Sequence, residues 1–174
     1  MEEKKYELTD EIWELDGHTL HRIRALRDFG DIQEGLHGGF IESEDNLSHE
    51  GDCWVGDDAT VYGNAKVYGN AMVYDYASVY DDAEVYGEAE VCENADVYGK
   101  AKVYGKADVH GEAKVYGSAS VNENAVVKGN AEICGWGTVK GNTEISEGKV
   151  AIETIYGTPP ASYLKNWKKN PELD

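Results

Sequence analysis

From Ala59 to Gly148 one six-residue unit, approximately Ala-x-Val-Tyr-Gly-x, recurs fifteen times without insertion or deletion. Self-similarity at a fixed short period means stacked identical units, each too small to bury a face alone. The small residue returns as Ala59, Ala65, Ala71 and onward to Ala131, and the slot is then filled by Gly137 and Thr143. The aliphatic slot is stricter, running from Val61 through Val127 to Ile133, Val139 and Ile145. A helical period of 3.6 cannot stay in phase with such a pattern, so the units are short strands. Period-two alternation then points the small and aliphatic residues inward and the polar residue and Tyr outward. The two remaining residues, such as Gly63-Asn64 or Asp81-Asp82, tolerate positive φ and turn a corner.

A four-residue strand must wind into a coil and stack on its neighbours. The run Val61-Tyr62-Gly63-Asn64-Ala65-Lys66 resembles the hexapeptide-repeat proteins, in which an aliphatic residue is followed four positions later by a small one. That resemblance covers about half the chain. It implies an all-β fold, a left-handed parallel β-helix with three hexads per coil. The chain departs from the family in one respect, since Tyr dominates the slot directly after the aliphatic residue. Counted from Ile41 to Gly148 the repeat makes about six coils, a column roughly 29 Å tall at a strand spacing of ~4.8 Å.

Residues eighteen apart should then be cross-coil neighbours, where like charges are disfavoured. Lys66, Glu84 and Lys102 alternate in sign, Asp96, Lys114 and Glu132 do the same, and Glu88 lies under Lys106. Two tyrosine columns emerge, Tyr62, Tyr80, Tyr98 and Tyr116 on one face and Tyr68, Tyr86 and Tyr104 on the next. On the third face Tyr74 is followed by Cys92, His110 and Lys128, Glu90 stacks on Asp108, and a corner column reads Asp57, Asp75, Glu93. This acidic edge reads as solvated, with a cation or partner site as the alternative.

The flanks read as covers for the open ends of the column, which otherwise invite aggregation. Residues 1–40 form an N-terminal cap: Tyr6 to Leu15 and His18 to Leu26 flank Asp16-Gly17, a hairpin-turn signal, and a glycine-rich lead-in loop through Gly38-Gly39-Phe40 follows. Residues 41–148 are the β-helix, with His49 in an inward aliphatic slot of the first coil. Residues 149–174 lose the hexad phase and end in a short helix after Thr158-Pro159-Pro160, bearing Tyr163, Leu164 and Trp167 on one face. All of this is one structural domain. The stretch Leu20 to Asp31, with Gly38-Gly39-Phe40-Ile41-Glu42-Ser43-Glu44, also resembles the lead-in of β-helical proteins of bacteria and their phages that are commonly labelled transferases or acetyltransferases. That label travels with the fold and not with any chemistry.

Thirty-four acidic against sixteen basic residues leave a net charge of −18. Direct binding to nucleic acid or to an anionic membrane is therefore not expected. Met1 to Lys5 precede no apolar core of the secretory type, and no apolar run is long enough to span a bilayer. Three cysteines give no disulfide framework; Cys53 should face inward, with Cys92 and Cys134 on different faces. A reducing, cytoplasmic setting is the expectation.

Hexapeptide-repeat acyltransferases are usually homotrimers that hold an acyl-CoA between neighbours and use a His as general base. The resemblance makes His110, paired with Asp108, and His49 the catalytic candidates. No inserted loop shapes a pocket around them, and general-base work needs a positioned, partly desolvated site. A zinc site is not expected from unclustered thiols and a single His within the regular coils, and no cofactor is expected. The favoured expectation is a non-catalytic, rigid interaction or scaffold protein that offers its Tyr columns and acidic corner to a protein partner or to itself, as in a homotrimer. The alternatives are an acyltransferase using acyl-CoA and an acidic, nucleic-acid-mimicking inhibitor of a host enzyme, phage-encoded.

Overall fold

The computed structural model describes residues 4–151 and 154–156. Fifteen hexads become two- and three-residue strands joined by corners, and together with the strands that flank them they stack into three sheets, one of nine strands and two of six. This is an all-β, parallel β-solenoid of about six turns. Pairing runs strictly between residues eighteen apart through the repeat, as in Lys66 with Glu84, Glu90 with Asp108 and Asp96 with Lys114. Each coil hands its N–H groups to the carbonyls of the next, as in Tyr80 N to Val97 O at 3.0 Å and His110 N to Val127 O at 2.9 Å.

The core is the double column of small and aliphatic residues. Val61, Val73, Val85, Val97, Val109 and Val121 are all fully buried, as are Ala59, Ala71, Ala83 and Ala95. Each buried valine contributes about 1.5–3 kcal/mol relative to exposure, and the contribution recurs strand after strand in all three sheets. The corners take φ between +50° and +77° at residues such as Asp57, Asp75, Glu93 and Gly111. At Gly111 the space is also closed, since a Cβ there would lie 2.6 Å from the backbone nitrogen of Gly129.

The N-terminal hairpin forms where its sequence places it, as β1 (Tyr6–Leu15) and β2 (His18–Ala25) around Asp16-Gly17. It joins the nine-stranded sheet through β3 (His37–Ile41), which is antiparallel to β2 and parallel to Thr60–Val61. The Gly38-Gly39-Phe40 lead-in is thus a strand and not a loop. Its two glycines permit a close approach to the first coil: a Cβ would come within 2.4 Å of Val55 O at Gly38 and of Ala59 O at Gly39.

The register of the first coil differs from a plain extrapolation of the repeat. Ile41 pairs with Val61 and Leu47 with Val67, an offset of twenty. Leu47, fully buried, therefore takes the aliphatic position that counting by six assigns to His49. The extra two residues are absorbed in the turn before Trp54, because a leucine fills the core and an imidazole does not. At the far end Glu132 pairs with Lys149 and Thr138 with Thr154, so the last coil shortens by one residue and then by two while its strands stay in the solenoid. The expected helix after Pro160 lies outside the described residues.

Candidate functional site

The third sheet holds the densest group of chemistry-bearing side chains. Trp54–Val55, Met72–Val73, Glu90–Val91, Asp108–Val109, Val126–Val127 and Glu144–Ile145 stack in it. Alternation sends two outward columns from the same face, Met72, Glu90, Asp108 and Val126 in one and Tyr74, Cys92, His110 and Lys128 in the other. Tyr74 donates its hydroxyl to Glu90 Oε2 at 3.1 Å and also interacts with the Cys92 thiol, and that hydrogen bonding together with burial holds its phenol protonated. Burial raises the Cys92 thiol pKa, so Cys92 is no thiolate nucleophile at neutral pH.

Asp108 and His110 are brought to one side of one strand, but the hydrogen bond that their spacing suggests is not formed. His110 Nδ1 instead faces Glu93 Oε2 at 3.8 Å. Asp108 Oδ1 is buried without a hydrogen-bond partner, and burial raises that carboxyl's pKa, opposed by His110 and helped by Glu90 and Glu93. A half-buried carboxyl of raised pKa can hold or release a proton nearer neutrality than an ordinary one. Asp108 lies half-buried on the outward side of its strand.

His49 lies at the seam between β1 and the first coil. Its ring stacks on Tyr6 with centroids 4.3 Å apart, and its Nδ1 accepts the Lys5 backbone N–H at 3.3 Å. It fastens β1 to the first coil, together with the Tyr6 hydroxyl, which donates to Leu47 O at 2.6 Å.

The acidic corner is built into the stacking. Asp57 Oδ2 accepts the Asp75 N–H at 3.3 Å, and Asp75 Oδ2 accepts the Glu93 N–H at 3.2 Å. Arg22 closes the column at its hairpin end, reaching Asp57 O at 3.1 Å and Asp58 Oδ1 at 3.2 Å. Among the described residues no group of three His, Cys, Asp or Glu converges on a point that could hold a metal ion. Exchanging Asp75 for Asn and Glu93 for Gln keeps the acceptor oxygens and removes the like-charge repulsion. The double variant is expected to melt at the parent temperature or above, within about 0.5 kcal/mol, as for surface substitutions. A clear fall in a thermal melt in metal-free buffer would show that the charges themselves are required.

The tyrosine columns are stacked ladders. Tyr62, Tyr80, Tyr98 and Tyr116 lie with ring centroids 5.1, 5.0 and 4.9 Å apart and planes within 5° of parallel. Tyr68, Tyr86 and Tyr104 repeat this at 4.8 and 4.9 Å. Tyr62 is only 8% exposed, packed with Leu20 and Phe40 under the hairpin, so the accessible part of its column starts at Tyr80. The remaining tyrosines of both ladders are half-buried. Tyr68 donates to Glu84 Oε2 at 2.7 Å and Tyr116 to Glu132 Oε2 at 2.9 Å, each reaching diagonally to the next coil.

Glu84 also pairs with Lys102 at 2.9 Å, and the two hydrogen bonds, Tyr68's first, hold its carboxyl below the ordinary value of 4.5. A carboxyl with a lowered folded pKa stabilises fully above its unfolded value and loses that contribution as pH falls through the folded one. Tyr68→Phe is expected to cost about 0.5–1.5 kcal/mol at neutral pH. Its loss of stability on acidification below 4.5 should be shallower than the parent's, read from melts along a pH series.

Sequence reasoning missed Lys5 and Arg22, because neither belongs to the repeat. Lys5, fully buried, donates to Cys53 O at 2.8 Å, Gly51 O at 3.1 Å and Cys53 Sγ at 3.2 Å, with the Phe29 ring 4.9 Å from its ammonium. Cys53 faces inward, while Cys92 and Cys134 lie on the third and first faces; all three thiols are free.

Fold and surface together define a parallel β-solenoid with eighteen-residue coils and two aromatic ladders, in keeping with the hexapeptide-repeat resemblance. No protein-family model matches the chain. It is similar to the uncharacterized acetyltransferase YdcK of Escherichia coli strain K12, with 35% identity over 66 residues that cover 33% of this chain and 20% of YdcK. The match thus spans a fifth of that relative's length. Among the described residues no helix is long and apolar enough to cross a membrane.

Proposed function

We propose that this chain is a non-catalytic, rigid interaction or scaffold protein that presents its tyrosine ladders and acidic corner to a protein partner, which includes further copies of itself. The observation that carries the reading is the pair of ladders, whose rings are held parallel at 4.8–5.1 Å on a rod of uninterrupted hexads. Rings already locked by stacking lose little conformational entropy on binding, and each offers an apolar face with a polar tip. Light scattering of the purified chain, with a pull-down from the native host read by mass spectrometry, tests the proposal. Support is a mass that is a multiple of the monomer, or a protein recovered in stoichiometric amount and lost with Tyr86→Ala. A monomer that recovers no such protein overturns it.

A second reading is an acyltransferase that takes acyl-CoA. The similarity to YdcK favours it, as does the buried, unpartnered Asp108 oxygen beside His110. Acetyl-CoA that raises the melting temperature of the parent, and not of His110→Ala, would favour this reading over the first. An unchanged melt would remove it.

A further inference from the structure

The first-face ladder ends on a thiol. Cys134 follows Tyr116 eighteen residues on, in the same outward column, and its thiol interacts with the Tyr116 hydroxyl. The other end of the ladder lies under the hairpin, where the His18 ring is 5.0 Å from that of Tyr62. Four phenols in unbroken contact, a carboxylate hydrogen-bonded to the last of them and a thiol beyond it are the parts needed to move an oxidising equivalent by successive short hops.

We propose that the Tyr62, Tyr80, Tyr98 and Tyr116 column relays one-electron oxidation along the rod and delivers it to the Cys134 thiol. The co-reactant is a strong one-electron oxidant, a radical or a high-valent metal complex, arriving at the hairpin end. It takes one electron from Tyr62, whose phenolic proton leaves to solvent, and a phenoxyl radical forms. Tyr80 then supplies an electron to Tyr62, which regains a proton, and the radical passes in the same way to Tyr98 and to Tyr116. At Tyr116 the proton moves along the existing hydrogen bond to Glu132 Oε2, 2.9 Å away. The Tyr116 phenoxyl finally takes the hydrogen atom of Cys134, breaking S–H and forming O–H, and Glu132 releases its proton to water. The net change is one electron gained by the oxidant, one proton released and one sulfur-centred radical at Cys134.

A stack of four phenols that ends on a thiol sets this ladder apart from the other aromatic positions. Cys92 lies beside a single tyrosine, Tyr74, and the second-face ladder continues from Tyr104 into Asn122 and ends on no thiol. Cys92 and Cys134 are similarly buried, at 8% and 5% exposure, so access alone does not favour Cys134.

The test uses the full chain with Thr19→Cys, an exposed site next to His18. A ruthenium polypyridyl photo-oxidant is attached there, the three native thiols being buried. A cobalt(III) ammine serves as electron acceptor, and dissolved dioxygen traps the sulfur radical as sulfinic and sulfonic acid. After flash irradiation, peptide mass spectrometry is expected to find oxidation at Cys134 about tenfold above that at Cys92. Tyr98→Phe keeps a stackable ring but removes the oxidisable phenol, and it should lower Cys134 oxidation by about tenfold with the melting temperature unchanged. If that variant fails to fold, Tyr80→Phe makes the same cut. Equal oxidation of Cys92 and Cys134, or Cys134 oxidation undiminished by the cut, overturns the proposal. So does phenoxyl formation that leaves Cys134 intact.

Discussion

Replacing Lys5 with Ala is expected to destabilise the chain by about 3–5 kcal/mol, the cost of removing one partner from a buried polar cluster. The ammonium uses all three of its protons on Cys53 O, Gly51 O and Cys53 Sγ, and its stem fills space with no exposure to solvent. The variant would leave two carbonyls and a thiol in the first coil without a donor, and it would remove one of the links between that coil and the start of β1, those through Tyr6 and His49 remaining. Burial lowers the Lys5 pKa and raises that of Cys53, each opposed by the other's charge. The lowered lysine means that the unfolded chain holds that proton more tightly, so its contribution grows as pH rises toward 10.5. The raised cysteine acts oppositely above 9.0, where the unfolded chain ionises first and the folded state loses stability. Urea denaturation of parent and variant measures the gap, and a variant within 1 kcal/mol of the parent, on the order of a single surface change, would show that the cluster contributes nothing.

Gly39→Ala is expected to cost about 1–3 kcal/mol, toward the upper end of overpacking effects. Its Cβ would sit 2.4 Å from Ala59 O and 2.9 Å from a Val55 methyl carbon. That carbonyl cannot retreat, because it already accepts the Phe40 N–H at 2.9 Å. Relief therefore requires β3 to lift from the first coil, and β2 and Tyr62 are uncovered with it. Hydrogen exchange should show the amides of Phe40 and Glu42 opening in the variant before those of the mid-rod coils. Uniform protection along the chain would mean that the hairpin is not held through this strand.

Much of the solenoid was legible because its period is short and its residue classes do not vary. An aliphatic residue in every sixth position leaves one way to bury all of them, and the charge alternation of Lys66, Glu84 and Lys102 already implied an eighteen-residue turn. The hairpin was equally plain, since Asp16-Gly17 is a local turn signal. The register at the ends was not legible. Whether Leu47 or His49 enters the core depends on how a coil closes against its neighbour, and only contact with Val67 selects the leucine. The hydrogen bonds of the candidate site were hidden for a related reason. Sequence put Asp108 and His110 on one side of a strand, yet rotamers and the coil below decide that His110 faces Glu93 and leaves Asp108 Oδ1 without a partner.

The amino-acid sequence by itself determined the coil length, the inward and outward columns and the three faces, because these follow from a repeat that acts identically at every step. Tertiary structure alone decided that the acidic corner carboxylates accept N–H groups from the next coil, that Tyr62 lies beneath the hairpin and that Lys5 is sealed against Cys53. Those outcomes depend on distances between segments far apart in the chain. For the contacts of Tyr62 and Lys5, which occur only once, a single sequence carries no periodic signal.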